Sequence, residues 1–208
     1  MEKPGQQDED VDAGDTTGTG NERFRIAVAP GELRVVQDLL NTAPIQKAGG
    51  DVPDLLDAPD TAARWLRVYG VEGDHPGMSD LRVLRDAVRR SLAERDHGPH
   101  HDDGGAGSPT FETRAVVRLE ADGSVRFLPG TPSIPALIQR VLLAMYDAQL
   151  TGTLRRLKLC RNPKCLVAFW DSSRNTSGVW HDVRTCGNAA NLRKSRARRS
   201  TREADPST

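Results

Sequence analysis

The sequence predicts an α+β protein that is mainly α: a helical N-terminal domain with a small β-hairpin, then a compact C-terminal module. Three observations predict it. Apolar residues recur at helical spacing in four separated segments. Two short β-prone runs flank an Asp122-Gly123 turn signal. All three cysteines of the 208-residue chain fall between Cys160 and Cys186.

Taken in order, residues 1–21 lack apolar periodicity and read as a disordered acidic tail. Phe24 to Val28 is β-prone. A first helix is expected from about Gly31 to Asn41, because Leu33, Val36 and Leu40 share a face with Val35 and Leu39 beside them. A second should run from Pro59, suited to a first helical position, to Tyr69, with Trp65, Leu66 and Tyr69 on one side. A third should span Ser79 to Arg95, capped by Ser79 and buried along Leu81, Leu84, Val88 and Leu92. Residues 96–109 (DHGPHHDDGGAGSP) read as a loop; its His97, His100, His101, Asp102 and Asp103 are potential metal ligands. Four glycines and two prolines around them make ordering costly and favour a solvated loop. Thr113 to Leu119 alternates, with Ala115, Val117 and Leu119 expected inward, and Val125 to Leu128 returns. Ser133 is placed to cap a fourth helix ending at Leu150, with Leu137, Ile138, Val141, Leu142 and Met145 as its face.

Composition bounds the rest. The chain is 37% hydrophobic and 28% charged, and aromatics are only 4%, so its core must be mostly Leu, Val, Ile and Ala. Mean hydropathy is −0.56. The longest apolar candidate, Ile134 to Leu150, is interrupted by Arg140 and Asp147 and falls short of a membrane span. The acidic start is the opposite of a signal peptide, so a cytoplasmic protein without membrane association is expected. Formal charge is zero overall but unevenly placed. Residues 1–20 carry one Lys against six acids, whereas residues 151–208 carry thirteen Lys and Arg against four acids. A basic working end that meets an anion is one reading of this asymmetry; two solubilising tails are the other.

Clustered cysteines in a cytosolic chain suggest metal before disulfide. Cys160 and Cys165 flank Arg-Asn-Pro-Lys, a tight turn at the tip of a hairpin made by Leu157 to Leu159 and Leu166 to Trp170. Cys186 is a third thiolate. Structural zinc takes four ligands in a tetrahedron. His181 is the only other His or Cys after Cys165, so the pattern C-x4-C-x15-H-x4-C follows by elimination, with Asp171 and Asp182 as fallback oxygen ligands. Two alternatives stand beside it: three buried cysteines without metal, and a catalytic zinc with water in the place of His181. No positioned base can be named for catalysis, and no deaminase signature occurs. Beyond Cys186, a helix-permissive stretch carries Arg193, Lys194, Arg196, Arg198 and Arg199, which suit a phosphate backbone or form a solvated basic tail.

The segment Cys160-x4-Cys165, Phe169-x-Asp171-x-Ser173-Arg174-Asn175, Trp180 and Cys186-Gly187-Asn188 resembles the C-terminal CGNR zinc finger of bacterial proteins. The N-terminal half is similar to the ABATE domain that usually precedes that finger, a stress-induced transcription regulator. Leu39-Leu40-Asn41-Thr42 stands where that family has an apolar-Asn-Thr motif, and Asp54-Leu55-Leu56 followed by Trp65-Leu66 matches its next helix. The resemblance covers about residues 24–199. Three departures mark this chain. His181 replaces the usual Cys after Trp180, a ligand-for-ligand exchange that leaves Cys3His. Ala189 replaces the Arg of the family's name. Gly178 and Val179 replace two arginines before the Trp.

The resemblance implies an ABATE-like domain over 22–152, a treble-clef-like zinc finger with its basic helix over 153–199, and a tail over 200–208. It implies one structural Zn2+ held by Cys160, Cys165, His181 and Cys186, and a non-enzymatic, DNA-binding transcription regulator associated with the nucleoid. The candidate DNA contacts are Arg174, Arg184, Arg193, Lys194, Arg196, Arg198 and Arg199. A homodimer and an unidentified effector of the N-terminal domain belong to the same expectation. The alternative is a zinc-stabilised protein-interaction module that has lost DNA binding.

Overall fold

A computed structural model describes residues 19–46, 50–73, 75–98, 109–128 and 130–192. Four helices form its main body: α1 (Leu33–Leu40), α2 (Pro59–Val68), α3 (Met78–His97) and α4 (Ile134–Leu150). Two antiparallel hairpins complete it, β1 (Val116–Leu119) with β2 (Val125–Leu128) and β3 (Leu157–Leu159) with β4 (Ala168–Trp170).

The central element is α1. Eight residues do not hold a helix in water, but seven of these are buried, including Gln37 and Asp38. Its apolar side chains pack with Trp65 and Leu66 of α2, Leu81, Leu84 and Val88 of α3, and Leu137 and Val141 of α4. The carbonyls at its C-terminal end are met by arginines from elsewhere. Arg89 donates to Leu40 O at 2.7 Å, and Arg23 donates to Asn41 O at 3.0 Å and Thr42 O at 3.1 Å. Cations there satisfy orphan acceptors and complement the helix dipole. Arg85 is buried and donates to Asp54 Oδ1 at 2.8 Å.

The four helices expected before residue 151 form, and Ser133 Oγ caps α4 by accepting from Ala136 N at 3.3 Å. Three expectations need correction. Phe24 to Val28 is not a strand: a 3-10 turn occupies Glu22–Phe24, and Arg25 lies in the left-handed region at φ 50°. The chain after it is held by a side chain instead of a sheet, since Gln37 accepts from Ala29 N at 2.6 Å and donates to Ala27 O at 3.0 Å. Ser79 does not cap α3. Gly77, at φ 90°, takes that position, so the helix starts at Met78 and Ser79 is exposed within it. The alternating residues of β1 do not face inward. Val117 and Leu119 are 52% and 71% exposed, so the apolar face they share with Val125 and Phe127 is largely open.

The β3–β4 hairpin, in contrast, enters the helical core. Leu157, Leu159 and Ala168 are buried in the cluster formed by α1 to α4. No helix among the described residues is long and apolar enough to cross a membrane.

Candidate metal centre

The turn between β3 and β4 is built by its backbone. Cys160 N donates to Val167 O at 2.9 Å, closing the hairpin, and Cys165 N and Leu166 N both donate to Asn162 O, at 2.8 and 3.2 Å. Leu166 sits at φ 52°, a left-handed step that turns the chain sharply just after Cys165. Arg161 N donates to Val179 O at 2.9 Å, which brings the 179–181 segment alongside the turn. Cys186 arrives on a π-type turn over Val183–Gly187. Asp182 caps it, accepting from Arg184 N at 2.7 Å and Thr185 N at 3.4 Å. Trp180 lies against Gly187, where an added Cβ would come within 3.3 Å of its ring.

These elements place one ligand atom each from Cys160, Cys165, His181 and Cys186 within 4.8 Å of one another. The three cysteines are buried and unbridged. Tetrahedral zinc with bonds of about 2.3 Å to sulfur and 2.0–2.1 Å to nitrogen separates its ligands by about 3.5–3.8 Å. Cys165 Sγ and His181 Nδ1 are 3.4 Å apart, which matches that edge. The donor chemistry agrees. A hydrogen bond shared with the Cys165 thiol holds the Cys160 thiol down to about 4. The same bond, reinforced by burial, pushes Cys165 up, and burial pushes Cys186 up. Crowded sulfurs share protons in this way, and a divalent cation replaces those protons. The cluster fits one structural zinc ion.

Its surroundings bear on orientation. Asn162 Nδ2 points at Cys186 Sγ from 3.4 Å, an outer-shell donor of the kind that tunes thiolate ligands. The fallback oxygens are engaged elsewhere. Asp182 caps its turn, and Asp171 Oδ2 accepts from Lys158 Nζ and from Gly178 N, both at 2.8 Å. Burial would raise the Asp171 carboxyl, but the bonds from Lys158, Ser173 and Gly178 outweigh it and hold the group at about 2. Position 178 has no room for a side chain, because a Cβ would lie 2.8 Å from Asp171 Oδ1. An arginine there would require this clamp to move.

Of the candidate DNA contacts, Arg174 and Arg184 are exposed. Arg193, Lys194, Arg196, Arg198 and Arg199 lie outside the described residues, as do residues 99–108 with His100, His101, Asp102 and Asp103. The chain from Asn188 to Leu192 is helical as it leaves the π-type turn.

The reading from sequence missed how the metal turn meets the N-terminal half. Its sulfurs share an apolar cluster with Ile45, Val52, Phe24 and Ile26, and Gln46 N donates to Lys164 O at 3.0 Å. Asn41 does more. Its Oδ1 accepts from Ala168 N at 2.8 Å, and its Nδ2 donates to Ala168 O at 2.9 Å and Asn21 Oδ1 at 2.7 Å. One side chain therefore serves β4 as a neighbouring strand would. A polar residue closing an apolar helix stripe (Leu39, Leu40, then Asn41) is the signal that could have suggested a buried polar lock.

A family model described as "ABATE: Putative stress-induced transcription regulator" matches residues 33–152, and one described as "CGNR zinc finger" matches residues 156–199. No curated protein matches the chain. Neither matched description is that of an enzyme.

The fourth ligand can be tested directly. His181→Cys is expected to keep one zinc per chain, while His181→Ala loses it to a chromophoric chelator about 100-fold more readily than the parent protein. Equal retention by His181→Ala and the parent would remove His181 from the set.

Proposed function

Because the chain belongs to the ABATE family and ends in a CGNR zinc finger, we propose that it is a DNA-binding transcription regulator acting in the bacterial cytoplasm under stress. The zinc organises the C-terminal module so that its cations meet the phosphate backbone. The N-terminal domain receives the signal or forms the dimer. The observation that carries this reading is the union of a regulator family with a thirteen-cation, four-acid C-terminal segment in an otherwise acidic or balanced chain. Arg174, Arg184, Arg193, Lys194, Arg196, Arg198 and Arg199 are the proposed contacts; they supply affinity, since phosphate contacts position a protein without reading sequence.

Titrating duplex DNA at several salt concentrations should give a steep logarithmic slope, near −0.9 per phosphate neutralised. Changing Arg193, Lys194, Arg196, Arg198 and Arg199 to Ala should flatten it by roughly 3 to 5. Chelator should weaken binding as well. A wild-type slope near zero would count against the reading.

One observation favours a second reading, a zinc-stabilised protein-interaction module. The face of the β1–β2 hairpin formed by Val117, Leu119, Val125 and Phe127 is apolar and at least 50% exposed at every position. Contiguous exposed apolar patches mark contact sites for other proteins. Stoichiometric co-purification of one protein, with no DNA binding at low salt, would select this reading.

A further inference from the structure

A concavity of about 730 Å³ opens between the 19–28 segment, α1, the end of α2 and Arg140. That volume lies within the range of small-molecule sites. Ile26, Val28 and Val68 give it an apolar wall, and Arg25 and Arg34 stand exposed at its edge. Among the described residues neither of these two guanidinium groups has an ion-pair partner. Arg25 is moreover held in the left-handed region, at φ 50°. It closes the 3-10 turn there, its N–H donating to Glu22 O at 3.3 Å, which fixes where its side chain leaves the backbone.

The carboxylates nearby are engaged: Glu22, which also lines the concavity, accepts from Thr19 N at 3.3 Å. Asp38 is buried, and its Oδ2 accepts from Trp65 Nε1 and Tyr69 OH, both at 2.7 Å, while its Oδ1 accepts from Asn21 N at 2.9 Å. Glu32 is ion-paired with Arg140, whose guanidinium lies 5.8 Å from the Tyr69 ring centroid. Glu32 acts on Arg34 only at longer range. Arg25 and Arg34, neither in ion-pair contact with a carboxylate among the described residues, therefore remain beside the apolar wall to select the ligand.

We propose that this concavity binds a small organic carboxylate, with Arg25 and Arg34 engaging the anion and Ile26, Val28 and Val68 covering its apolar body. A guanidinium forms paired hydrogen bonds with a carboxylate, so charge orients the ligand while the wall supplies contact area. The site also adjoins the lock on the metal module: Asn21 lines it, and Asn21 Oδ1 accepts from the same Asn41 amide that holds Ala168. As an effector site this deepens the regulator reading and rests on it, but binding of the carboxylate is measured without DNA and stands or falls separately.

The test is calorimetry of the full zinc-loaded chain with 2-naphthoate and with its neutral counterpart 2-naphthamide. The expected result is one saturable site per chain, at least tenfold tighter for the carboxylate. The double variant Arg25→Gln/Arg34→Gln should abolish that preference and leave affinity for the amide within twofold, with an unchanged circular dichroism spectrum and zinc content. Arg64→Gln, an exposed change on α2 outside the cavity, should leave both affinities as they are. Absence of saturable 2-naphthoate binding, equal affinity for acid and amide, or a preference that survives the double variant would overturn the proposal. Loss of DNA binding by the wild type would not.

Discussion

Cys160→Ser or Cys186→Ser should reduce bound zinc from one per chain to near zero, yet leave the helical body folded. The first half follows from the ligand cluster, where three sulfurs and an imidazole nitrogen lie within 4.8 Å. Removing one thiolate leaves three donors for an ion that structural sites hold with four. The second half follows from where the hairpin is anchored. A module of about 45 residues has too small a core to fold unaided, which would suggest that metal loss melts everything beyond residue 155. However, Leu157 and Leu159 are 0% and 2% exposed inside the core shared with α1 to α4, so β3 and β4 have a second support. Disorder should be confined to residues 160–167 and 179–192, where ligands and their connecting backbone bonds hold the chain. Hydrogen exchange should locate the change there. At free zinc about a thousandfold above Kd, the ion contributes roughly 4 kcal/mol. The midpoint of thermal unfolding should therefore fall by on the order of 10 °C. Wild-type protein purified without chelator but lacking zinc would defeat the structural-ion account; exchange protection lost equally across α1 to α4 would defeat the second anchor.

Asn41→Ala should destabilise the whole protein by about 2–4 kcal/mol while leaving zinc stoichiometry at one. Asn41 is 1% exposed, and its amide satisfies Ala168 N, Ala168 O and Asn21 Oδ1. Truncation strands these groups in a dry interior, where an unsatisfied donor or acceptor costs about 1–3 kcal/mol. Ala168 O keeps a longer bond from Gln37 Nε2 at 3.3 Å, which limits the loss on that atom. Asn41→Asp should be at least as damaging, since a carboxylate can accept from Ala168 N but cannot donate to Ala168 O, and its charge is buried. Urea unfolding followed by both circular dichroism and tryptophan fluorescence measures the change. A loss under about 0.5 kcal/mol for Asn41→Ala, a value typical of surface positions, would mean that the amide is not a lock.

Much of the architecture is carried by local patterns. Leu33, Val36 and Leu40 at helical spacing, Pro59 at a first helical position and Ser133 three residues before Ala136 N each act within one or two turns of chain. These features therefore read directly from residue order. The ligand set is legible for a related reason. Few residue types bind zinc, and after Cys165 the only His or Cys residues are His181 and Cys186, with Asp171 and Asp182 as the fallback oxygens. The apolar alternation of β1 misleads because alternation reports which residues share a face, not whether anything covers that face. Phe24 to Val28 misleads because β propensity is satisfied only by a partner, and here the partner is the Gln37 amide.

Residue order thus specifies the four helices, the cysteine hairpin, the chemistry of the ion they hold and the charge contrast between the ends of the chain. Packing in three dimensions specifies the rest: Leu157, Leu159 and Ala168 join the helical core, Asn41 grips β4 across 127 residues of sequence, and Arg25 and Arg34 flank one cavity. The physical reason is separation along the chain. Propensity, capping and ligand spacing act between near neighbours, whereas burial and long-range hydrogen bonds depend on surfaces that exist only after the chain has closed on itself.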